Sequence, residues 1–270
     1  MKKILTRAAV GFGFLLLVAM FALILLRKKT AECRTGQGST AIEACTFLVN
    51  NFPGDAAKFA YLDLRRGHYA VAGAKKAEID DLNAMMQLSE SGRVQVGDDV
   101  KAAIYEKAAE AYAKNADKAA ALKSADRAIA LGSKNGSMYM MRGLSLLEAE
   151  KYPEAIADFK AAEGFGYKQL QLYMNLGSAY LWSGDYNSAF GSLKTAEAMA
   201  AAPDDVGLIS RQLGLTCFEL KLYEQAVAYM TKAQPLTVCP DCPAVIKMSQ
   251  EFIEKAKRPA RPAKKRSRRR

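Results

Sequence analysis

The sequence predicts an all-α chain: a solenoid of helix-turn-helix repeats, behind an N-terminal transmembrane helix and ahead of a disordered basic C-terminal tail. Three observations carry this. The stretches KYPEAIADFK at Lys151, GDYNSAFGSL at Gly184 and KLYEQAVAYM at Lys221 share one outline. Aligning them on Ala155, Ala189 and Ala226 brings Gly143, Gly177 and Gly214 into register, 34 and 37 residues apart. Each second helix then shows one apolar stripe at spacings of four and three, as in Ala155, Phe159, Ala162 and in Ala189, Leu193, Ala196. A single unit cannot bury such a stripe alone, so neighbours must stack.

In chain order, residues 1–29 read as a membrane anchor with basic flanks. Ala8 to Leu26 is 19 residues without a charge. As a helix it spans roughly 28 Å, close to the ~30 Å hydrocarbon thickness of a bilayer. A cleaved secretory signal is the competing reading. Such signals have an apolar stretch of roughly 7–15 residues that ends at small side chains, whereas this one runs into Leu-Leu-Arg-Lys-Lys. Lys2, Lys3 and Arg7 before it nearly balance Arg27, Lys28 and Lys29 after it. The orientation expected here puts the amino terminus in the cytoplasm and the body outside, where the chain's cysteines would oxidise.

Residues 30–101 form an irregular helical region. TAIEACTFLVNNFP (40–53) reads as an isolated second helix, and the stretch 61–88 as a weaker repeat, with Gly67 in the glycine's place and a turn about one residue short. Residues 102–240 hold the clear repeats, the first with Ala109 in the glycine's place, framed by Tyr105 and Tyr112. Within each, the small residue of the first helix lets the second approach closely, and Tyr152, Tyr186 or Tyr223 can cover the turn. Residues 241–257 supply a capping helix whose Val245, Met248, Phe252 and Ile253 can cover the last stripe. Residues 258–270 complete a basic tail with no large apolar side chain after Ile253, too polar to fold alone.

The formal charge of +11 is confined to the ends. Of 39 cations, six lie in residues 1–29 and ten in 255–270, which leaves 23 in the body against 28 acids. A mildly acidic body argues against a globular nucleic-acid face. The tail keeps one electrostatic role, attachment to an anionic surface, where each basic residue adds on the order of 1 kcal/mol.

The pattern resembles the tetratricopeptide repeat (TPR) family, whose signature is a small residue and aromatics in the first helix, alanine opening the second, and a proline near the unit's end. The resemblance covers about residues 102–238; the closing proline is mostly missing, although Pro203 and Pro235 lie near its place. It implies a non-catalytic protein–protein interaction scaffold that binds a protein or peptide on a concave face lined by the first helices. The inward positions so implied include Met140, Leu144, Met174, Ser178, Arg211 and Leu215, with Asn175 and Arg211 placed to fix a bound backbone or carboxylate. The same side chains read equally well as inter-repeat core. The lysine, asparagine and arginine clamp of TPR chaperone cofactors is matched only at Asn175. The amino-terminal part resembles bacterial exported proteins of this class, in which AIxAC follows an earlier cysteine by about a dozen residues; Cys33 and Cys45 are 12 apart. That resemblance implies a Cys33–Cys45 disulfide and a single-pass protein of the bacterial inner membrane with periplasmic repeats.

Chemistry is sparse. Cys239 and Cys242 form a C-x-x-C, open to a local disulfide, thiol-disulfide exchange or metal. Zinc needs two more ligands, and a thioredoxin-like site needs a βαβ setting. Cys217, inside a first helix, reads as a buried small hydrophobe. His68, the one histidine, lies in a packing helix, and no phosphate loop, cofactor motif or catalytic triad is evident. No catalysis and no cofactor are expected. Thiol-disulfide exchange through Cys239 and Cys242, or polyanion binding through the tail, are the alternatives.

Overall fold

The computed structural model describes residues 2–52 and 54–257, with side-chain surroundings from residue 19 onward. The described residues form thirteen helices and no strand. They fall into two compact units, Met1–Lys134 and Asn135–Arg270. The first holds α1 (Lys2–Thr35), α2 (Gly38–Asn51), α3 (Asp55–Val71), α4 (Lys75–Glu90), α5 (Asp98–Lys114) and α6 (Lys118–Ala130). The second holds α7 (Gly136–Glu148), α8 (Tyr152–Gly164), α9 (Leu170–Ser183), α10 (Tyr186–Met199), α11 (Pro203–Glu219), α12 (Tyr223–Ala233) and α13 (Cys242–Lys257). The tail at 258–270 lies outside the described residues, as do the side chains of most of the apolar run at 8–26. Among the described residues, no helix is long and apolar enough to cross a membrane.

Five helix pairs, α3/α4, α5/α6, α7/α8, α9/α10 and α11/α12, share one turn. Its central residue has a left-handed backbone: Gly73 (φ 69°), Ala116 (61°), Glu150 (59°), Gly184 (86°) and Lys221 (61°). The next residue donates its N–H to the carbonyl five positions back, as in Ala74 to Tyr69 (2.9 Å), Asp117 to Tyr112 (3.0 Å) and Leu222 to Cys217 (2.8 Å). This closure satisfies carbonyls that a helix end leaves open. Two of the second helices, α6 and α10, begin on side-chain caps: Asp117 accepts from the Ala120 N–H (3.0 Å) and Asp185 from that of Ser188 (3.1 Å). Pro153 and Pro203 sit in the first turns of α8 and α11, where no N–H partner is lost.

Seven residues before each turn centre lies the point of closest approach. A Cβ there would come within 2.7 Å of Phe159 at Gly143, 2.6 Å of Leu193 at Gly177 and 2.8 Å of Met230 at Gly214. Phe159, Leu193, Met230 and the stripe alanines Ala155, Ala162, Ala189, Ala196 and Ala226 are fully buried. The same count from Gly73 arrives at Arg66, not Gly67, and Gly67 has open space where its Cβ would be. The expected register of α3 is therefore one residue off, and its turn is not short. In place of a small pair, this helix pair carries Arg66 against Glu78 (3.9 Å), with side-chain exposures of 14% and 11%. Beside it Arg65 grips Asp81 through two bonds of 2.9 and 2.6 Å and donates to Thr46 Oγ1 at 3.2 Å. The bulk of an arginine is accommodated because its charge is satisfied within the pair.

At the start of unit 1, a disulfide joins Cys33 of α1 to Cys45 of α2, Cα atoms 4.8 Å apart. His68 Nε2 donates to the Cys33 carbonyl at 2.8 Å, a packing role. At the end of unit 2, α13 packs on α12 and α11. Val245 is buried there, while Met248 and Phe252 stay 41% exposed, Phe252 stacked on Tyr223 at 4.8 Å.

Candidate functional site

In unit 2 the first helices α7, α9 and α11 lie side by side. Of the residues expected to face a partner, Met140 and Met174 are 4% and 7% exposed and belong to the core. Leu144, Asn175, Ser178, Arg211 and Leu215 are half-buried. Ser178 Oγ accepts from Gln212 Nε2 at 2.7 Å, linking α9 to α11. Arg211 is engaged by Asp241 at 2.7 Å. That hydrogen bond, opposed by partial burial, holds the Asp241 carboxyl below the usual range. Asn175 Oδ1 accepts weakly from Gln171 (3.4 Å), while its Nδ2, enclosed by protein, finds no partner. This face is thus largely knit to itself.

Asp241 is also part of the C-x-x-C segment. Cys239 and Cys242 are joined, Cα atoms 5.4 Å apart, and Cys242 is fully buried against Met230. Cys217 is buried and free, and burial pushes its thiol up to about 11. Among the described residues, no cluster of three His, Cys, Asp or Glu side chains could hold a metal ion.

An opening with a volume of about 820 Å³ lies in unit 1, on the α4, α5 and α6 side. From α5 come Tyr105 and Tyr112; α4 adds Asn83, Met86 and Glu90, and α6 adds Ser124 and Arg127. Tyr112 donates to Asn83 Oδ1 at 2.8 Å, and Tyr105 donates to Glu90 Oε1. Arg127 approaches the same Glu90 oxygen at 3.8 Å. Burial and then the Glu90 carboxylate push the Tyr105 hydroxyl up, against a smaller opposing pull from Arg127. The result is an aromatic floor with amide, acid and guanidinium groups on its rims.

The sequence signals Tyr105 and Tyr112 only as framing residues for Ala109. What opens the groove is visible by comparing second helices in the structural register. In unit 2, Lys194 and Glu197 of α10 meet Tyr229 and Lys232 of α12, with Lys194 2.5 Å from Glu197, 3.2 Å from Tyr229 Oη, and Lys232 3.0 Å from Glu197. The corresponding positions of α4 and α6 are Asn83, Met86, Ser124 and Arg127. Of these, only Arg127 reaches across, to Glu90 at the end of α4 (3.8 Å), and the short Asn83 and Ser124 leave the rest of the space open.

No family model matches the chain, and no curated protein sequence matches it. Its fold does match solved structures. YrrB, described as a TPR protein with an unusual peptide-binding site, aligns over 80% of this chain and all of its own, with a TM-score of 0.55 at 17% identity. A crystal structure of MamA aligns over 76% of this chain and 98% of its own (TM-score 0.51, 15% identity). The MamA AMB-1 structure gives 0.51 at 18% identity, over 66% and 98%. At such identities the likeness establishes the fold: helix pairs of the TPR type.

Proposed function

We propose that the protein is a non-catalytic interaction scaffold that holds an amphipathic peptide segment of a partner protein in the α4–α6 groove. The observation that carries this reading is the groove itself: about 820 Å³, open, aromatic at its base and polar at its rims. That volume is in the range of pockets that enclose a ligand of drug size or a few residues of peptide. YrrB's description as a peptide-binding TPR protein supports the same class of partner. The half-buried Leu144, Asn175, Ser178, Arg211 and Leu215 form a second, smaller candidate surface in unit 2.

The scaffold is further proposed to be anchored in the bacterial inner membrane by residues 1–29, with both units in the periplasm. The uncharged run at 8–26 supports the anchor, and the two cysteine pairs fit a disulfide-permissive compartment. The basic tail would then reach an anionic surface.

The test is selection of binders from a library of unstructured peptides displayed to the full chain, followed by variants that fill the groove. Asn83→Lys with Ser124→Tyr rebuilds in unit 1 part of the bridge seen between α10 and α12. It is expected to weaken the selected peptide at least tenfold while leaving helix content unchanged. A peptide that binds parent and filled variant equally well removes the groove from the proposal. In that case Arg211→Ala and Leu215→Ala test the unit 2 surface.

A further inference from the structure

The α1–α2 hairpin places protein at a depth that the anchor alone does not explain. Cys33 is bonded to Cys45, and α2 runs back along α1 from there. Phe47, Asn51 and Phe52 thereby line a small opening of about 290 Å³ with Ala22, Leu25 and Leu26. From Cys33 to Leu25 is roughly 12 Å along a helix, and from Cys45 to Phe52 about the same, at ~1.5 Å per residue. The last turn of α2 is therefore level with Arg27, Lys28 and Lys29, and Phe52, just beyond it, with Leu26 at the end of the apolar run.

Just below that level α1 is apolar on every side. Met20, Phe21, Leu23 and Ile24 are 55%, 69%, 59% and 57% exposed, and successive helix positions point about 100° apart. No protein face covers them, and water is a poor solvent for four neighbouring large apolar side chains. Above them, Lys28 and Lys29 pair with Glu32 at 3.9 and 2.9 Å while remaining within reach of headgroups. Phe47 and Phe52 are half-buried, apolar side chains of the kind an interfacial helix buries at the headgroup/acyl boundary, with Phe52 set against Tyr61 at 5.4 Å.

We propose that the C-terminal turn of α2 is embedded in the membrane interface beside α1, so that unit 1 is seated on the bilayer and not tethered above it. The occupant of the Phe47–Phe52 surface is lipid: acyl chains against the two phenylalanines, and phosphate headgroups against Arg27, Lys28 and Lys29. This rests on reading α1 as the membrane anchor. The unbroken helix Lys2–Thr35 and the Cys33–Cys45 bond leave no hinge between anchor and unit.

The experiment places a single tryptophan at chosen depths in the full chain, in a Trp182→Phe background. Vesicles of phosphatidylcholine and phosphatidylglycerol with brominated acyl chains quench an indole that reaches the hydrocarbon. Phe21→Trp reports the anchor and Phe52→Trp the α2 turn, with Phe47→Trp as a second reporter should Phe52→Trp disturb its packing on Tyr61. The expected result is quenching at both depths, with blue-shifted emission at 52 or 47. Quenching at 21 with neither 47 nor 52 affected overturns the seated arrangement and leaves the anchor standing. No quenching at 21 removes the anchor and this inference together.

Discussion

The α3–α6 region and the α9–α12 region are built on one turn and differ in where they keep their charges. In α9–α12 the helix pairs meet through glycine against a large apolar side chain, Gly177 on Leu193 and Gly214 on Met230. Their charges lie outside, in the Lys194, Glu197, Tyr229 and Lys232 bridge between second helices. In α3/α4 the charges are inside, Arg65 on Asp81 and Arg66 near Glu78, and the gap between α4 and α6 is left open. Among the described residues, the single Glu90–Arg127 pair between α4 and α6, where α10 and α12 share a network of four side chains, leaves unit 1 its groove. The repeat frame therefore fixes the turns, while the residues facing across the frame decide how far neighbouring pairs are bridged.

The sharpest way to break this comparison is to remove one buried charge. Asp81→Ala leaves the Arg65 guanidinium, 15% exposed, without its bidentate partner. Breaking such a pair destabilises by about 3–5 kcal/mol. Hydrogen exchange is expected to accelerate through α3 and α4 while α9–α12 keep their protection. Equal loss in both regions would show that the ion pair is not what holds α3/α4.

The second test sets two glycines against each other. Gly177→Ala pushes a methyl to 2.6 Å from Leu193, and overpacking of this kind is expected to lose about 2 kcal/mol. Gly67→Ala meets nothing within 4 Å and is expected to gain about 1 kcal/mol from helix propensity. Denaturation monitored in each unit separately checks the two signs. If both substitutions destabilise alike, Gly67 is the contact residue after all and the register from Gly73 is wrong.

This pair of glycines also shows what could be read in advance. Gly143, Gly177 and Gly214 were legible because a small residue and the alanine twelve positions later recur together. The α3/α4 pair hid its register because Arg66 and Glu78 occupy those two places, and an ion pair leaves no size pattern to follow. Gly73, aligned with Gly184, is the signal that could have found it. The groove was not legible because it depends on Asn83, Met86 and Ser124 not forming the contacts that Lys194, Glu197 and Tyr229 form. That relation appears only once second helices from neighbouring repeats are set side by side. Met140 and Met174 illustrate the converse: the family resemblance placed them on the concave face, and packing puts them in the core instead.

A smaller effect separates the regions by pH. In unit 1 burial works to raise Asp63, but the Arg66 hydrogen bond and the Lys107 charge outweigh it and hold it low. In unit 2 Arg211 holds Asp241 low, with burial opposing. A carboxyl depressed in the folded state stabilises above its unfolded value, near 3.8, and that contribution is lost as pH falls through the lower folded value. Asp241→Asn is expected to lose about 1 kcal/mol at pH 7, this being a partly exposed pair, and the difference from the parent should narrow as pH falls from 3.8 through the lower folded value. Urea titrations across that range check it. A constant difference would mean that Asp241 acts through packing at the C-x-x-C segment and not through its charge.

The smallest expected effect tests the shared turn itself. Ala116, Glu150 and Lys221 hold the left-handed conformation that Gly73 and Gly184 adopt freely. A side chain there costs roughly 1–2 kcal/mol, partly offset because glycine is the more flexible residue in the unfolded chain. Ala116→Gly, Glu150→Gly and Lys221→Gly should therefore each stabilise, by about 0.5–1 kcal/mol, a rise of roughly 2–3 °C in the melting of the affected unit. The gain should be alike in the two units, since the turn is the feature they have in common. If Ala116→Gly helps and Glu150→Gly does not, the Glu150 side chain contributes an interaction that compensates its backbone, and the turns are equivalent in geometry but not in energy.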